Sequence, residues 1–183
     1  MALAEKTLNL KTGQRAQRKT LITVAEWSEG ETTKRQILGA RTEDSSIELN
    51  PDIQVSTDIL GITYTDVNKT EPQQDFDPLY VMGGSPLAEY LTDAMLANKI
   101  DNYNNVFSVY IIAAFINNGT AETAPTKYYA VCHAGCSIIP TAIGGDAYTN
   151  MPVEVHYSNN ITVGEVDKLS DDFIFSDGSG TTN

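Results

Sequence analysis

Short segments that favour extended structure follow one another along most of this chain, with polar turns between them. Residues 18–27 are rich in β-branched side chains, and residues 34–41 are extended again after a polar turn around Gly30, so the two predict a hairpin. Residues 106–116 are almost continuously apolar and are expected to be buried on both faces. Strands in direct succession favour antiparallel pairing, so we predict a mainly β fold, an antiparallel sandwich or barrel of about eight or nine strands.

Alternation of apolar and polar residues predicts which side chains face the core. Further strands are predicted at residues 45–50, 52–56, 59–67, 128–141, 151–157, 161–166 and 173–175. The apolar residues that alternate with polar ones are Ile47, Leu49, Ile53, Val55, Val153 and Val155. Successive side chains of a strand point to opposite faces, so we expect these six in the core and Glu48, Gln54 and Glu154 on the opposite face.

One helix is predicted near residues 85–99, flanking the strands. Ser85 is the predicted N-cap, and Pro86 suits the first helical position, where no amide hydrogen is required. An apolar stripe at helical spacing follows, formed by Leu87, Tyr90, Leu91, Ala94 and Met95. A helix of about 13 residues is marginal alone, so we expect this stripe to cover a sheet.

The length of 183 residues suits a single domain. We assign residues 1–183 to it, with a polar N-terminal arm at residues 1–17 and a flexible tail rich in Gly, Ser and Thr at residues 176–183. No apolar run approaches the ~20 residues that span a bilayer, and no apolar stretch follows the first basic residues. We therefore expect synthesis and folding in a cytoplasm, without a secretory signal and without membrane insertion.

Charge is divided unevenly along the chain, whose net charge is −12. Residues 1–41 contain eight of the twelve basic residues and four acids, whereas residues 42–183 contain four basic and twenty acidic residues. An acidic body repels nucleic-acid phosphates, which argues against a protein that grips nucleic acid. The basic start and the acidic body can attract one another between neighbouring subunits.

The two cysteines and two histidines offer the clearest hint of chemistry. Cys132, His133 and Cys136 lie close in sequence, and a metal site there needs His156 or a carboxylate as a further ligand. Positions four apart in an extended strand are ~13 Å apart, too far to share a zinc ion or a disulfide unless the chain turns tightly at residues 134–135. We expect no metal, cofactor, disulfide or catalytic residue. A metal site and a Cys–His nucleophile pair with His156 are the alternatives.

The polar stretch at residues 68–78 has two prolines and little hydrophobic pattern, so it is predicted to be an extended loop. Its charged residues are Lys69, Glu71, Asp75 and Asp77. Long ordered loops usually carry function, and we predict that this one contacts neighbouring subunits. Paired carboxylates such as Asp75 and Asp77 can also serve acid–base chemistry or calcium binding, although loop aspartates more often cap turns.

Three stretches of the chain resemble tail tube proteins of bacteriophages and phage-like particles. They are ILGARTEDSSIELNPDIQVSTD at residues 37–58, TDILGITYTDVNKTEPQQDFDP at residues 57–78 and PVEVHYSNNITVGEVD at residues 152–167. Together with the single helix between them, they cover most of residues 18–175. The resemblance lies in the pattern of strands and loops and includes no enzymatic signature.

This resemblance implies a structural virion protein without enzymatic activity, a major tail protein. Its subunits would form hexameric rings that stack into a hollow tube for genome delivery. The same fold serves tailocins and type VI secretion tubes. The implied partners are further copies of the chain and other tail proteins, such as the tape measure, tail terminator, baseplate or sheath. DNA would pass transiently and without specificity through the lumen. The implied location is the virion tail, after synthesis in the cytoplasm of a bacterial host.

The resemblance also gives the acidic body a role, because a negatively charged bore lets DNA slide without sticking. On this basis Glu48, Gln54 and Glu154 are predicted to line the lumen. Two alternatives come from other functional classes. One is a monomeric ligand-binding β-sandwich module, although sugar platforms usually need several exposed aromatic residues and the chain has only Trp27 as tryptophan. The other is a small thiol- or metal-dependent enzyme that uses Cys132, Cys136 and His156.

Overall fold

The regular structure is almost entirely β, with one α-helix in the middle of the chain. The computed structural model describes residues 7–42, 44–120 and 123–178. The strands are β1 (Thr7–Leu8), β2 (Leu21–Glu29), β3 (Thr32–Ile37), β4 (Ile47–Glu48), β5 (Pro51–Thr57), β6 (Thr63–Thr70), β7 (Gln73–Phe76), β8 (Phe107–Asn117), β9 (Tyr128–Pro140), β10 (Val153–His156), β11 (Ile161–Val166) and β12 (Phe175–Ser176). The helix α1 spans Pro86–Leu96. The predicted mainly β class with one helix is confirmed.

Ten of these strands belong to one antiparallel sheet that forms two layers. The first layer has the order β3-β2-β8-β9-β11-β12, with β1 paired to the end of β8. The second has the order β9-β10-β7-β4. The long strand β9 belongs to both, since residues 128–136 pair with β8 and residues 137–140 pair with β10. The path ends at β3 and β4 without closing, so within the described residues the fold is a sandwich rather than a closed barrel.

Two buried clusters lie on opposite faces of the first layer. The larger one joins the two layers and the helix, and includes Trp27, Phe76, Leu87, Leu91, Phe107, Val109, Cys136, Ile138, Val153 and Val155. The smaller one is covered by the C-terminal segment and includes Val24, Tyr110, Ile112, Cys132, Phe173 and Phe175. Alternate residues of β8 enter the two clusters, so its predicted burial on both faces is confirmed.

The helix α1 packs its predicted stripe against the core, but its N-terminus is capped differently from the prediction. Leu87 and Leu91 are fully buried in the larger cluster. Ser85 makes no side-chain capping hydrogen bond. Instead, Oε1 of Gln36 on β3 accepts a 2.9 Å hydrogen bond from the amide of Leu87. A strand residue 51 positions away in sequence therefore takes over the cap, because helix and strand are packed side by side.

Residues of both the predicted arm and the predicted tail belong to strands. Thr7 and Leu8, within the predicted polar arm, pair with Asn117 and Ile116 of β8. Ser176, within the predicted flexible tail, pairs with Glu165 of β11. Residues 1–6 and 179–183 lie outside the described residues. Among the helices that the structure describes, none is long and apolar enough to cross a membrane.

The polar stretch at residues 68–78 is not the predicted extended loop. Strand β6 continues to Thr70, and residues 73–76 form β7 within the second layer. Gln74 and Phe76 are buried, with 1% and 2% of their surface exposed. The two prolines and the weak hydrophobic pattern do not indicate this strand, because the buried Gln74 is polar and is satisfied by hydrogen bonds with residues far away in sequence.

Candidate functional site

A two-stranded hairpin projects from the sandwich and forms a sheet of its own. It consists of β5, a tip at residues 58–62 and β6, and is called here the projecting hairpin. Its two strands pack mainly against each other. Every residue of β5 is exposed, as is every residue of β6 except the last. The rest of the described chain therefore covers neither face of this hairpin.

The projecting hairpin has one apolar face and one polar face. The pairs Ile53–Val67, Val55–Thr65 and Thr57–Thr63 share the first face. The pairs Gln54–Asp66 and Ser56–Tyr64 share the second. An apolar face on an isolated pair of strands is unusual in a monomer, because two strands alone are marginal and apolar surface is normally covered.

Three residues predicted to face the subunit core are exposed instead. Ile53 and Val55 are 53% and 65% exposed on the projecting hairpin, and Leu49 just before it is 59% exposed. The prediction of their burial is wrong. Alternation correctly identifies Ile53 and Val55 as one face of a strand, but it carries no information about what covers that face. In contrast, Val153 and Val155 are buried as predicted, because β10 has neighbours in the second layer.

The turn at the tip of the projecting hairpin is organised by hydrogen bonds to the Asp58 carboxylate. Oδ1 of Asp58 accepts hydrogen bonds from the amides of Leu60 and Ile62, at 2.8 and 3.0 Å, and Oδ2 accepts one from the Tyr64 hydroxyl at 3.1 Å. The bond from Ile62 contributes most to holding the pKa of Asp58 below its ordinary value, against the opposing effect of desolvation. The side chains of Ile59 and Leu60 in this turn face solvent, the first fully exposed and the second 79% exposed.

The outer face of the second layer carries a group of acidic side chains. Glu154 on β10 pairs directly with Asp75 on β7. Two positions earlier on β7, Gln73 pairs with His156 of β10 on one side and with Glu48 of β4 on the other. Nε2 of His156 lies 3.4 Å from a carboxylate oxygen of Glu154. The structure thus brings two of the predicted lumen residues, Glu48 and Glu154, onto one face and adds Asp75 to them.

The other predicted site residues lie elsewhere. Gln54 is on the polar face of the projecting hairpin, away from Glu48 and Glu154. Lys69 and Glu71, at the hairpin base, form an exposed ion pair with an N–O distance of 2.6 Å. Asp77 is exposed and precedes the cis peptide bond to Pro78. The predicted subunit-contact residues therefore divide between the hairpin base and the outer face of the second layer.

A groove of about 300 Å³ lies between the start of β2, the end of β3 and Phe76 at the end of β7, and it was not expected from the sequence. Its apolar wall includes Ile22, Ile37, Leu38 and Phe76, and its rim includes Arg18, Lys19, Thr42 and Ser45. The guanidinium of Arg18 donates hydrogen bonds to the carbonyl oxygens of Ser45 and Leu21. Within the described residues, neither Arg18 nor Lys19 forms an ion pair with a carboxylate. The only signal in the sequence is the pair of adjacent basic residues before β2.

The two thiols lie on opposite faces of the first layer because β9 contains a bulge. Phe107 pairs with Cys136 and Ser108 with Ala134, so Gly135 is an extra residue, with φ of 81°. In a regular strand positions 132 and 136 share a face, and the extra residue reverses this. Cys132 therefore enters the smaller cluster and Cys136 the larger one.

Both cysteines are free and buried, and neither lies with His156. Burial raises the pKa of Cys132 to about 11 and also raises that of Cys136, which disfavours the reactive thiolate. His156 is on the outer face of the second layer, opposite the side on which Cys136 is buried. Across the part of the chain that the structure describes, no three His, Cys, Asp or Glu side chains group closely enough to hold a metal ion.

Among known proteins, similarity to this chain is found with solved structures. No protein-family model matches the chain, and no curated protein matches it. One similar solved chain belongs to a structure described as "Cryo-EM structure of the anti-feeding prophage (AFP) baseplate, 6-fold symmetrised", with a TM-score of 0.42 and 11% sequence identity. The alignment covers 84% of this chain and 97% of that chain. A likeness at this level assigns neither the fold nor the function.

Proposed function

We propose that this chain is a structural subunit of a phage-like tail, that it assembles with further copies of itself, and that the assembly is the tail tube of stacked hexameric rings. The observation that supports self-assembly is the exposed apolar face of the projecting hairpin, formed by Ile53, Val55 and Val67. The resemblance of residues 37–58, 57–78 and 152–167 to tail tube proteins supports the choice of a tube.

The exposed apolar side chains of the projecting hairpin favour association. Fully burying a large aliphatic side chain contributes roughly 1.5–3 kcal/mol, and the hairpin exposes several of them on one face and at its tip. Leaving this surface in water has no benefit to the folded monomer and favours aggregation. A partner that covers the hairpin stabilises the association, and an assembly of identical subunits provides such a partner for every copy.

The proposed role requires no catalysis. The buried thiols have raised pKa values and point away from His156, which disfavours the nucleophile pair considered from the sequence. Asp75 and Glu154 pair on the outer face of the second layer, and Asp75 also lines an open pocket of about 200 Å³ with Glu48 and Gln73, which includes neither thiol. These features support a structural role over a thiol- or metal-dependent enzyme.

Negative-stain electron microscopy of the concentrated protein tests the proposal, with two variants of the projecting hairpin. Val55→Lys places a charge on its apolar face, and the matched control Gln54→Lys places the same charge on its polar face, opposite Asp66. We expect rings or tubes from the wild type and from Gln54→Lys, and folded monomers from Val55→Lys. Featureless wild-type monomers, or assembly of Val55→Lys equal to that of the control, would contradict the proposal.

A further inference from the structure

We propose that the tip of the projecting hairpin docks into the groove between β2, β3 and the end of β7 of a second copy of this chain. This inference rests on the proposed self-assembly and identifies the two surfaces that meet. The donor surface is the tip, with Ile59 and Leu60 exposed to solvent. The acceptor surface is the groove of about 300 Å³ with Ile22, Ile37 and Phe76 among its lining residues.

The chemistry of the two surfaces is complementary. The tip offers aliphatic side chains, and the groove offers an apolar wall that is large enough to receive them. The projecting hairpin carries the carboxylates of Asp52, Asp58 and Asp66, while its one lysine is already paired with Glu71. The groove rim carries two cations, Arg18 and Lys19. Opposite charges at an exposed rim mainly orient and accelerate association, so apolar burial supplies most of the stability.

Tip and groove do not meet within one copy. Ile59 and Leu60 remain exposed to solvent, so the tip does not fill the groove of its own chain. Strand β5 has seven residues, which is about 24 Å at ~3.4 Å per residue, so the tip extends far enough to reach a neighbouring copy. Glu71 donates a 3.0 Å hydrogen bond to the carbonyl oxygen of Leu49, which keeps the two strands together at the base.

A contact between two different surfaces of the same chain is heterologous. Each copy then has one tip to give and one groove to fill, so the contact repeats from copy to copy. Such contacts close into a ring or continue as a filament, which is the behaviour that a tail tube subunit requires. The Asp58 turn fixes the conformation of the tip before docking, which lowers the entropy cost of association.

Disulfide trapping between two single-cysteine additions tests this contact. Leu60→Cys marks the tip and Ile37→Cys marks the groove, and both native thiols are buried. The two variants are mixed, allowed to assemble and mildly oxidised, and the mixed disulfide is identified by peptide mass spectrometry. We expect heterodimers, which form only if tip and groove lie on different copies. Lys19→Cys provides a second groove position in case Ile37→Cys does not fold.

The control is Leu60→Cys mixed with Leu96→Cys, at the C-terminal end of α1, where Leu96 is 72% exposed and therefore more accessible than Ile37 at 36%. Assemblies that cross-link no more at Ile37 or Lys19 than at Leu96 would overturn the docking inference and leave self-assembly intact. If the wild type and these variants do not assemble at all, the proposed function fails and this inference fails with it.

Discussion

The hydroxyl of Tyr157 donates a 2.5 Å hydrogen bond to Oε1 of Gln74 inside the core. The same oxygen accepts a bond from Thr23 at 3.0 Å, and Nε2 of Gln74 donates to the Ser45 hydroxyl at 3.0 Å. Since Thr23 belongs to β2 and Gln74 to β7, this buried amide joins the two layers of the sandwich. Gln74 is therefore a structural residue, although its sequence neighbours are polar and partly or fully exposed.

We predict that Gln74→Leu lowers the free energy of unfolding by about 2–5 kcal/mol, because it leaves several buried polar groups without a partner. Gln73→Leu is the matched control, since Gln73 faces the outer side of the same strand, and its effect should stay within about 1 kcal/mol. Denaturant unfolding of both variants measures the difference. Equal losses in the two variants would show that the buried network does not stabilise the fold.

The limits of sequence-based prediction are clear from a comparison of two pairs of valine and isoleucine residues. Val153 and Val155 alternate with polar residues and are buried, whereas Ile53 and Val55 show the same alternation and are exposed. Local periodicity identifies a strand and its apolar face, but the partner that covers this face is set by contacts distant in sequence. The succession of strands and the apolar stripe of the helix were predictable because both are local patterns in the sequence.

The candidate site was less predictable, because tertiary contacts create it. The groove joins Arg18, Ile37 and Phe76 from separate strands and connections, which no local pattern brings together. The burial of Gln74 depends on partners as far away as Tyr157, 83 positions along the chain, and no local pattern indicates them. The bulge at Gly135 also depends on pairing with β8, and it decides which face each thiol occupies.

The second prediction concerns the docking of α1. Leu91→Asp places a charge where Leu91 is fully buried, and we expect it to destabilise the fold by several kcal/mol, on the order of 3–5. Glu89→Asp, on the exposed face of the same helix, is the control. Thermal unfolding provides the measurement. A melting temperature for Leu91→Asp within a degree or two of the wild type would mean that the helix is not packed in this way.

The third prediction concerns the turn at the tip of the projecting hairpin. Asp58→Ala removes the acceptor of the Leu60 and Ile62 amides, so both amides should exchange faster with solvent. Asp66→Ala, on the same hairpin but outside the turn, should leave their exchange unchanged. Hydrogen exchange followed by NMR distinguishes the variants. No change in Asp58→Ala would show that the carboxylate does not hold the turn.

The fourth prediction follows from the same carboxylate and concerns pH. The hydrogen bond from the Ile62 amide, with those from Leu60 and Tyr64, favours the charged form, so the carboxyl group should titrate with a pKa below 3.8. Because the pKa is lower in the folded state, the turn is stabilised above pH 3.8, and this contribution is lost as pH falls through the folded-state pKa. NMR titration of the side-chain carboxyl carbon measures this midpoint. A midpoint at or above 3.8 would contradict the turn geometry.

The last prediction concerns the acidic outer face of the second layer, where Glu48 and Glu154 lie on the same side as Asp75. If this face lines the lumen of a hexameric tube, Glu48→Lys together with Glu154→Lys would add about twelve cations to each ring. Closely spaced cations release phosphate counterions, so these tubes should bind DNA, and the binding should weaken steeply as salt is raised. The matched control is Glu89→Lys with Asp101→Lys, which changes the net charge equally at exposed positions on and beside α1. DNA binding by well-formed tubes, measured across a series of salt concentrations, compares the two variants. Equal DNA affinity in the two variants would show that Glu48 and Glu154 do not line the lumen. Charges that line a lumen through which DNA passes must change DNA binding more than charges elsewhere on the tube.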